Sequence, residues 1–195
     1  MEFEKEYLIS LVNGETEVAS PPFSSQDGEA SEPYLRKLVG RLSDIKSIVL
    51  KADFDHYGSG FSSYVHLYLS KKDKSDVKVV EEAPYIRESI HGLMIYLCRL
   101  LPFAVYSEGI WTNTYQDGKW KGGSSHYIGA DKVGRLPPYD WTQELAEIKE
   151  ILHQFGIRFL TKEELNQALD FEISIPTNFS APPYQVFDCF FYWED

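Results

Sequence analysis

Residues 84–101 read PYIRESIHGLMIYLCRLL, and the conformation of this stretch decides what the rest of the chain packs against. Pro84 suits the first turn of a helix, and Ile86, Ile90, Leu93 and Leu97 mark one helical face. Met94, Ile95 and Tyr96 make the stretch apolar nearly all round. The reading is a helix running to about Leu101 and central to the fold, because a helix with no polar side is buried on every side. Its apolar part, continued from Gly92 to Tyr106, is the longest apolar run, but Arg99 and Pro102 interrupt it. It is also shorter than the roughly 18 residues of a membrane span, so no membrane-crossing segment is expected.

Upstream, SIVLKADF (47–54) alternates Ile48, Leu50, Ala52 and Phe54 against Lys51 and Asp53, the pattern of a half-buried strand. FSSYVHLYLS (61–70) gives a second strand with Phe61, Val65, Leu67 and Leu69 inward and Tyr64, His66 and Tyr68 outward. KKDKSD (71–76) then reads as a turn into VKVV (77–80), completing an antiparallel meander. Before these lie a first strand over 5–12 and a polar loop over about 13–31. A helix follows, capped by Ser31, with Leu35, Leu38, Val39 and Leu42 at helical spacing.

Downstream, FAVYSE (103–108) and IWTNTY (110–115) are strand segments, and Asp117-Gly118 is a hairpin signal leading into KWK. A Gly/Pro-rich loop covers about 122–139. Asp140 with Gln143 predicts a capped helix stopped by Gly156. IRFL (157–160) is a short strand, and Thr161 with Glu164 forms a second capping box for a helix through Leu169. FEISI (171–175) and YQVFDCFFYW (184–193) read as closing strands, the last central because it is apolar on both faces. Strands in hairpin-like groups with helices interposed give an α+β fold: a mostly antiparallel sheet with about four helices packed against it, in a single domain spanning 1–195.

Candidate chemistry is sparse. GKWKGGSSHYIG (118–129) lacks the order and the following helix of a phosphate-binding loop. The five histidines show no zinc-ligand spacing, and no metal or cofactor is expected. His126, beside Ser124 and Ser125 in a glycine-rich loop, is the histidine best placed for enzymatic work. Asp53, Asp55 and His56 sit together at a strand end, where paired carboxylates and an imidazole could serve a small hydrolase or a metal-dependent enzyme. Cys98 and Cys189 lie in apolar runs and read as buried thiols of a reducing compartment. The apolar run near the N-terminus is too short for a signal peptide, so a cytoplasmic address is expected.

Charge and aromatic content say more. The net charge is −11 and Phe, Tyr and Trp make up 15% of 195 residues. An acidic chain is a poor general binder of nucleic acid or anionic membrane. Residues 1–34 carry eight acids and one base, 163–195 carry seven acids and no base, and the middle is slightly basic. Acidic ends of this kind either keep the chain soluble or fold together into one face for a basic partner. Tyr64 and Tyr68, and Trp111, Tyr115 and Trp120 around the hairpin, fall at positions patterned for exposure. They are either interface residues or the core beneath a second layer.

GIRFLTKEEL (156–165) followed by PPYQVFDCFFYWED (182–195) resembles the ending of small acidic bacterial proteins encoded beside polymorphic or contact-dependent toxins as immunity proteins. The resemblance implies a non-enzymatic inhibitor that binds and neutralises a cognate protein toxin. Asp188, Trp193, Glu194 and Asp195 would then contact a basic partner, together with Trp111 and Trp120. A peptide- or ligand-binding regulatory domain is the further alternative.

Overall fold

The computed structural model describes residues 3–15, 21–58 and 60–194. In chain order the elements are α1 (Lys5–Asn13), α2 (Glu32–Leu42), β1 (Ile48–Asp53), β2 (Phe61–Ser62), β3 (Tyr64–Lys71), β4 (Val77–Glu82) and β5 (Tyr85–Cys98). They continue with β6 (Phe103–Gln116), β7 (Lys119–Ser125), α3 (Thr142–Gln154), β8 (Arg158–Phe159), α4 (Lys162–Leu165), α5 (Val186–Phe190) and β9 (Trp193–Glu194). The architecture is α+β, a mostly antiparallel sheet flanked by helices.

The stretch 84–101 is a strand. β5 runs for 14 residues and pairs along nearly its whole length with β6, from Tyr85↔Gln116 to Leu97↔Ala104. An apolar run suits a two-sided buried strand as well as a buried helix, and spacing alone does not separate them. Here the two faces feed two different cores. Leu93, Ile95 and Leu97 join Val65, Leu67 and Leu69 beneath α2 and α3. Met94, Tyr96 and Cys98 join Tyr64, Tyr68 and Val105 beneath α1, α4, α5 and the C-terminal segment. Tyr64, His66 and Tyr68 are therefore buried, not outward-facing, because a second layer covers their side of the sheet.

The expected meander is also replaced. β3 and β4 both run antiparallel to β5, β3 against 93–98 and β4 against 85–90, so 72–76 interrupts one edge without reversing the chain. Asp76 fixes this interruption: its Oδ2 accepts the Lys71 amide at 2.8 Å and its carbonyl accepts the His91 amide. The reversal comes at 83–84, where Pro84 opens a hairpin instead of a helix. Asp117 and Gly118, with φ of 52° and 72°, make the expected β6–β7 turn. β7 extends to Ser125, which shortens the anticipated loop at its start.

At the N-terminus, 5–13 is helical, with Leu8 and Leu11 buried one turn apart. α2 begins as anticipated, but the Ser31 hydroxyl donates to the Gly28 carbonyl and caps no helix amide. α3 has no capping box: Asp140 accepts the Thr142 amide and Gln143 donates to Glu147. The Thr161/Glu164 box is present, but its helix ends at Leu165. Residues 171–175 form no strand, and YQVFDCFFYW becomes α5, capped by Gln185 and Asp188, followed by the two-residue β9. Part of the 13–31 loop, residues 16–20, lies outside the described residues.

The helices cover only one end of the sheet. At the other, β4, the first half of β5, the second half of β6 and β7 form an antiparallel wing whose side chains are largely exposed or half-buried.

Candidate functional site

Alternation along β5 and β6 decides which side chains share the wing's two faces. Ile86, Glu88 and Ile90 point the way of Met94 and Tyr96, and across the ladder they meet Tyr115, Asn113 and Trp111. On β4, Val77 and Val79 oppose Ile90 and Glu88, and on β7 Trp120 opposes Tyr115. This face is mostly apolar and aromatic around Glu88 and Asn113, and its outer part is open: Val79, Ile86 and Trp120 are exposed, Trp120 by 56%, whereas Ile90 and Trp111 are buried. The opposite face carries Arg87, Ser89, the His91–Glu108 pair at 3.2 Å and Thr112.

Where the wing meets the covered end, a cleft of 440 Å³ lies against β7. Its floor is possible because Gly92 has no side chain: a Cβ there would stand 2.5 Å from the Trp111 ring and 2.3 Å from the Leu69 carbonyl. Trp111 meets Tyr68 edge-on at 5.4 Å, and the Tyr68 hydroxyl bonds Ser125 at 3.0 Å. Inward from the cleft, His66 stacks on Tyr68 at 3.9 Å and meets the edge of Tyr96 at 4.7 Å. Burial, with His56 and Lys51 nearby, holds the His66 pKa well below its ordinary value, so the ring is neutral. Its Nε2 has no hydrogen-bond partner among the described residues.

Tyr96 stacks on Tyr64 at 3.9 Å and its hydroxyl accepts the Ile128 amide at 3.0 Å. That bond places Tyr127 at the far wall of the cleft. Tyr127 continues the aromatic row outward to Phe179 at 4.2 Å, then Trp193 at 5.1 Å, whose ring lies 4.5 Å from His56. One aromatic track thus runs from Trp120 through the cleft to Trp193.

Trp111 and Trp120, from one hairpin, and Trp193, more than 70 residues further on, belong to this track. Trp111 is only 9% exposed and serves as floor, whereas Trp120 forms an open wall. Glu194 pairs with Phe61 in β9, beside Trp193. Asp188 is spent on structure: it accepts the Gln185 amide and the Ser180 hydroxyl, both at 2.7 Å. Asp195 lies outside the described residues. Tyr127 and Phe179 come from irregular segments, so no periodicity announces them.

Asp55 and His56 line a cleft of 310 Å³ with Glu29, Glu32 and Arg99, and Asp53 is not among its walls. Asp53 accepts the Asp55 amide at 3.2 Å, Asp55 is exposed, and the His56 ring is buried against Trp193. Among the described residues no group of three His, Cys, Asp or Glu could hold a metal ion. His126 is exposed, and its amide donates to the Ile110 carbonyl at the end of β7.

The acidic ends meet. Phe3 packs on Phe190 at 4.8 Å and the Lys5 ammonium sits 5.2 Å over the Phe171 ring. This places exposed Glu4, Glu6, Glu163, Asp170 and Glu172 in one layer, on the same side of the sheet as the aromatic track. Glu32 and Glu29 lie elsewhere, along the cleft beside Arg99, where Glu32 pairs with Arg36 and Arg99, and Glu164 is paired with Arg158. Compared with known proteins, the chain matches no family model, no curated protein and no solved structure.

Proposed function

We propose that this chain is a non-enzymatic binding protein of the immunity type, which neutralises a basic protein toxin by occupying it. The observation that carries the reading is the open aromatic track on the same side of the sheet as the joined acidic ends. Exposed Trp and Tyr supply contact area at little entropic cost, and a predominantly acidic layer beside them steers an oppositely charged partner.

The test is co-expression with the product of the adjacent gene in a cell that this product kills. Rescue is expected, with affinity in vitro falling as salt rises from 50 to about 500 mM through screening of the acidic layer. Trp120→Ala should weaken binding through faster dissociation. Reversal of Glu4, Glu6 and Glu172 to Lys should slow association. Absence of rescue overturns the reading. A second reading, a ligand-binding domain, is favoured by the cleft itself, whose 440 Å³ falls within the roughly 300–1,000 Å³ of small-molecule sites.

A further inference from the structure

We infer that the cleft between Trp111, Trp120 and Tyr127 is a binding site for a neutral saccharide ring; this rests on the ligand-binding reading of the cleft. The rings of Tyr68, Trp111, Trp120 and Tyr127 face a space whose remaining walls are glycine, serine, threonine and one amide, with Lys51 at one end and no carboxylate. An organic cation in an aromatic cage gains from a nearby acid, and Lys51 opposes it. A phosphate group would call for clustered guanidinium or ammonium groups or a helix N-terminus, and Lys119 and Lys121 of β7 are not among the cleft's walls.

Neutral ligands remain, and the polar groups choose among them. Asn113 lies on the aromatic face between Trp111 and Tyr115, opposite Gly123. Its neighbour on β7, Gly123, has no side chain, Glu88 opposes it on β5, and the Asn113 side chain makes no hydrogen bond among the described residues. A primary amide carries donors and an acceptor side by side, which matches two vicinal hydroxyls. The Ser125 hydroxyl, bonded to Tyr68, keeps capacity for one more contact.

Trp111 and Tyr68 are inclined at 63°, so they form a corner and no parallel slot. A flat nucleobase sandwiched between rings does not fit a corner. A chair-shaped pyranose does: one apolar C–H face lies on an indole while its equatorial hydroxyls reach the amide and the serine. Trp120, exposed and reached by a two-residue turn, is the ring able to close over a bound sugar.

The experiment is a tryptophan-fluorescence titration of the full chain with cellobiose, maltose and N,N′-diacetylchitobiose, alongside adenosine and N-acetyltyrosinamide. Saturable change with at least one disaccharide is expected, with affinity reduced at least tenfold in Trp120→Ala and in Asn113→Ala. Trp120 is exposed, so its variant folds and keeps the test decisive. Saturation by adenosine or N-acetyltyrosinamide but by no saccharide overturns the ligand class and leaves a ligand site standing. Saturation by none of the five overturns both. Saccharide binding that both variants retain unchanged overturns the cleft as its location.

Discussion

At the scale of single residues, Gly92 and His66 show what the aromatic track demands of its surroundings. Gly92→Ala places a methyl group against the Leu69 backbone carbonyl as well as the Trp111 ring, and backbone gives way less readily than a side chain. The expected cost is about 1–3 kcal/mol in urea denaturation. Trp120→Ala should change stability by less than about 0.5 kcal/mol in the same measurement. His66 predicts a pH dependence. Its folded pKa lies below that of the unfolded chain, so the unfolded chain takes up the proton first. Stability is then complete above about pH 6.5 and falls below it by up to about 1.4 kcal/mol per pH unit. His66→Phe should remove that slope. The alternation of β3 placed Tyr64, His66 and Tyr68 on one face from sequence alone. That the face is buried depends on α1 and α5, whose contacts no local pattern encodes.

At the scale of elements, the decisive stretch was legible as apolar but not as a strand. Hydrophobic periodicity distinguishes helix from strand only where one side is polar, and 93–98 has no polar side. The same ambiguity, resolved the opposite way, made α5 from a segment that reads as a strand. Capping chemistry was the better guide where it was present: Thr161/Glu164 opens α4 with both reciprocal bonds. There the Glu164 carboxyl titrates below its ordinary range; burial alone would raise it, but the Thr161 amide and Arg158 outweigh that. Thr161→Ala should cost about 1 kcal/mol by denaturant unfolding. On the opposite face, Lys71 reaches Glu144 at 2.7 Å and lies 4.5 Å over the Trp141 ring, tying β3 to α3. Glu144→Ala leaves the ammonium buried without its carboxylate, and a loss of about 3 kcal/mol is expected in the same assay.

At the scale of the whole molecule, the sheet is one hydrogen-bonded body with two environments, a covered end and an open wing. Amide exchange should separate them. Protection should approach the global unfolding limit at 93–98 and fall off toward the 83–84 turn, where fewer buried contacts oppose opening. Uniform protection along β5 would show that something covers the wing in solution. Composition and local turn chemistry determined by themselves that the chain is acidic, rich in aromatics, folded as α+β, and turned at Asp117-Gly118, because those properties are carried by side chains and their immediate neighbours. Tertiary structure alone decided that 85–98 is a strand, that the two acidic ends share a layer, and that Trp111, Trp120, Tyr127 and Trp193 line one track. Each of these outcomes joins residues distant in the chain, and the burial that pays for such joining exists only once both partners are in place.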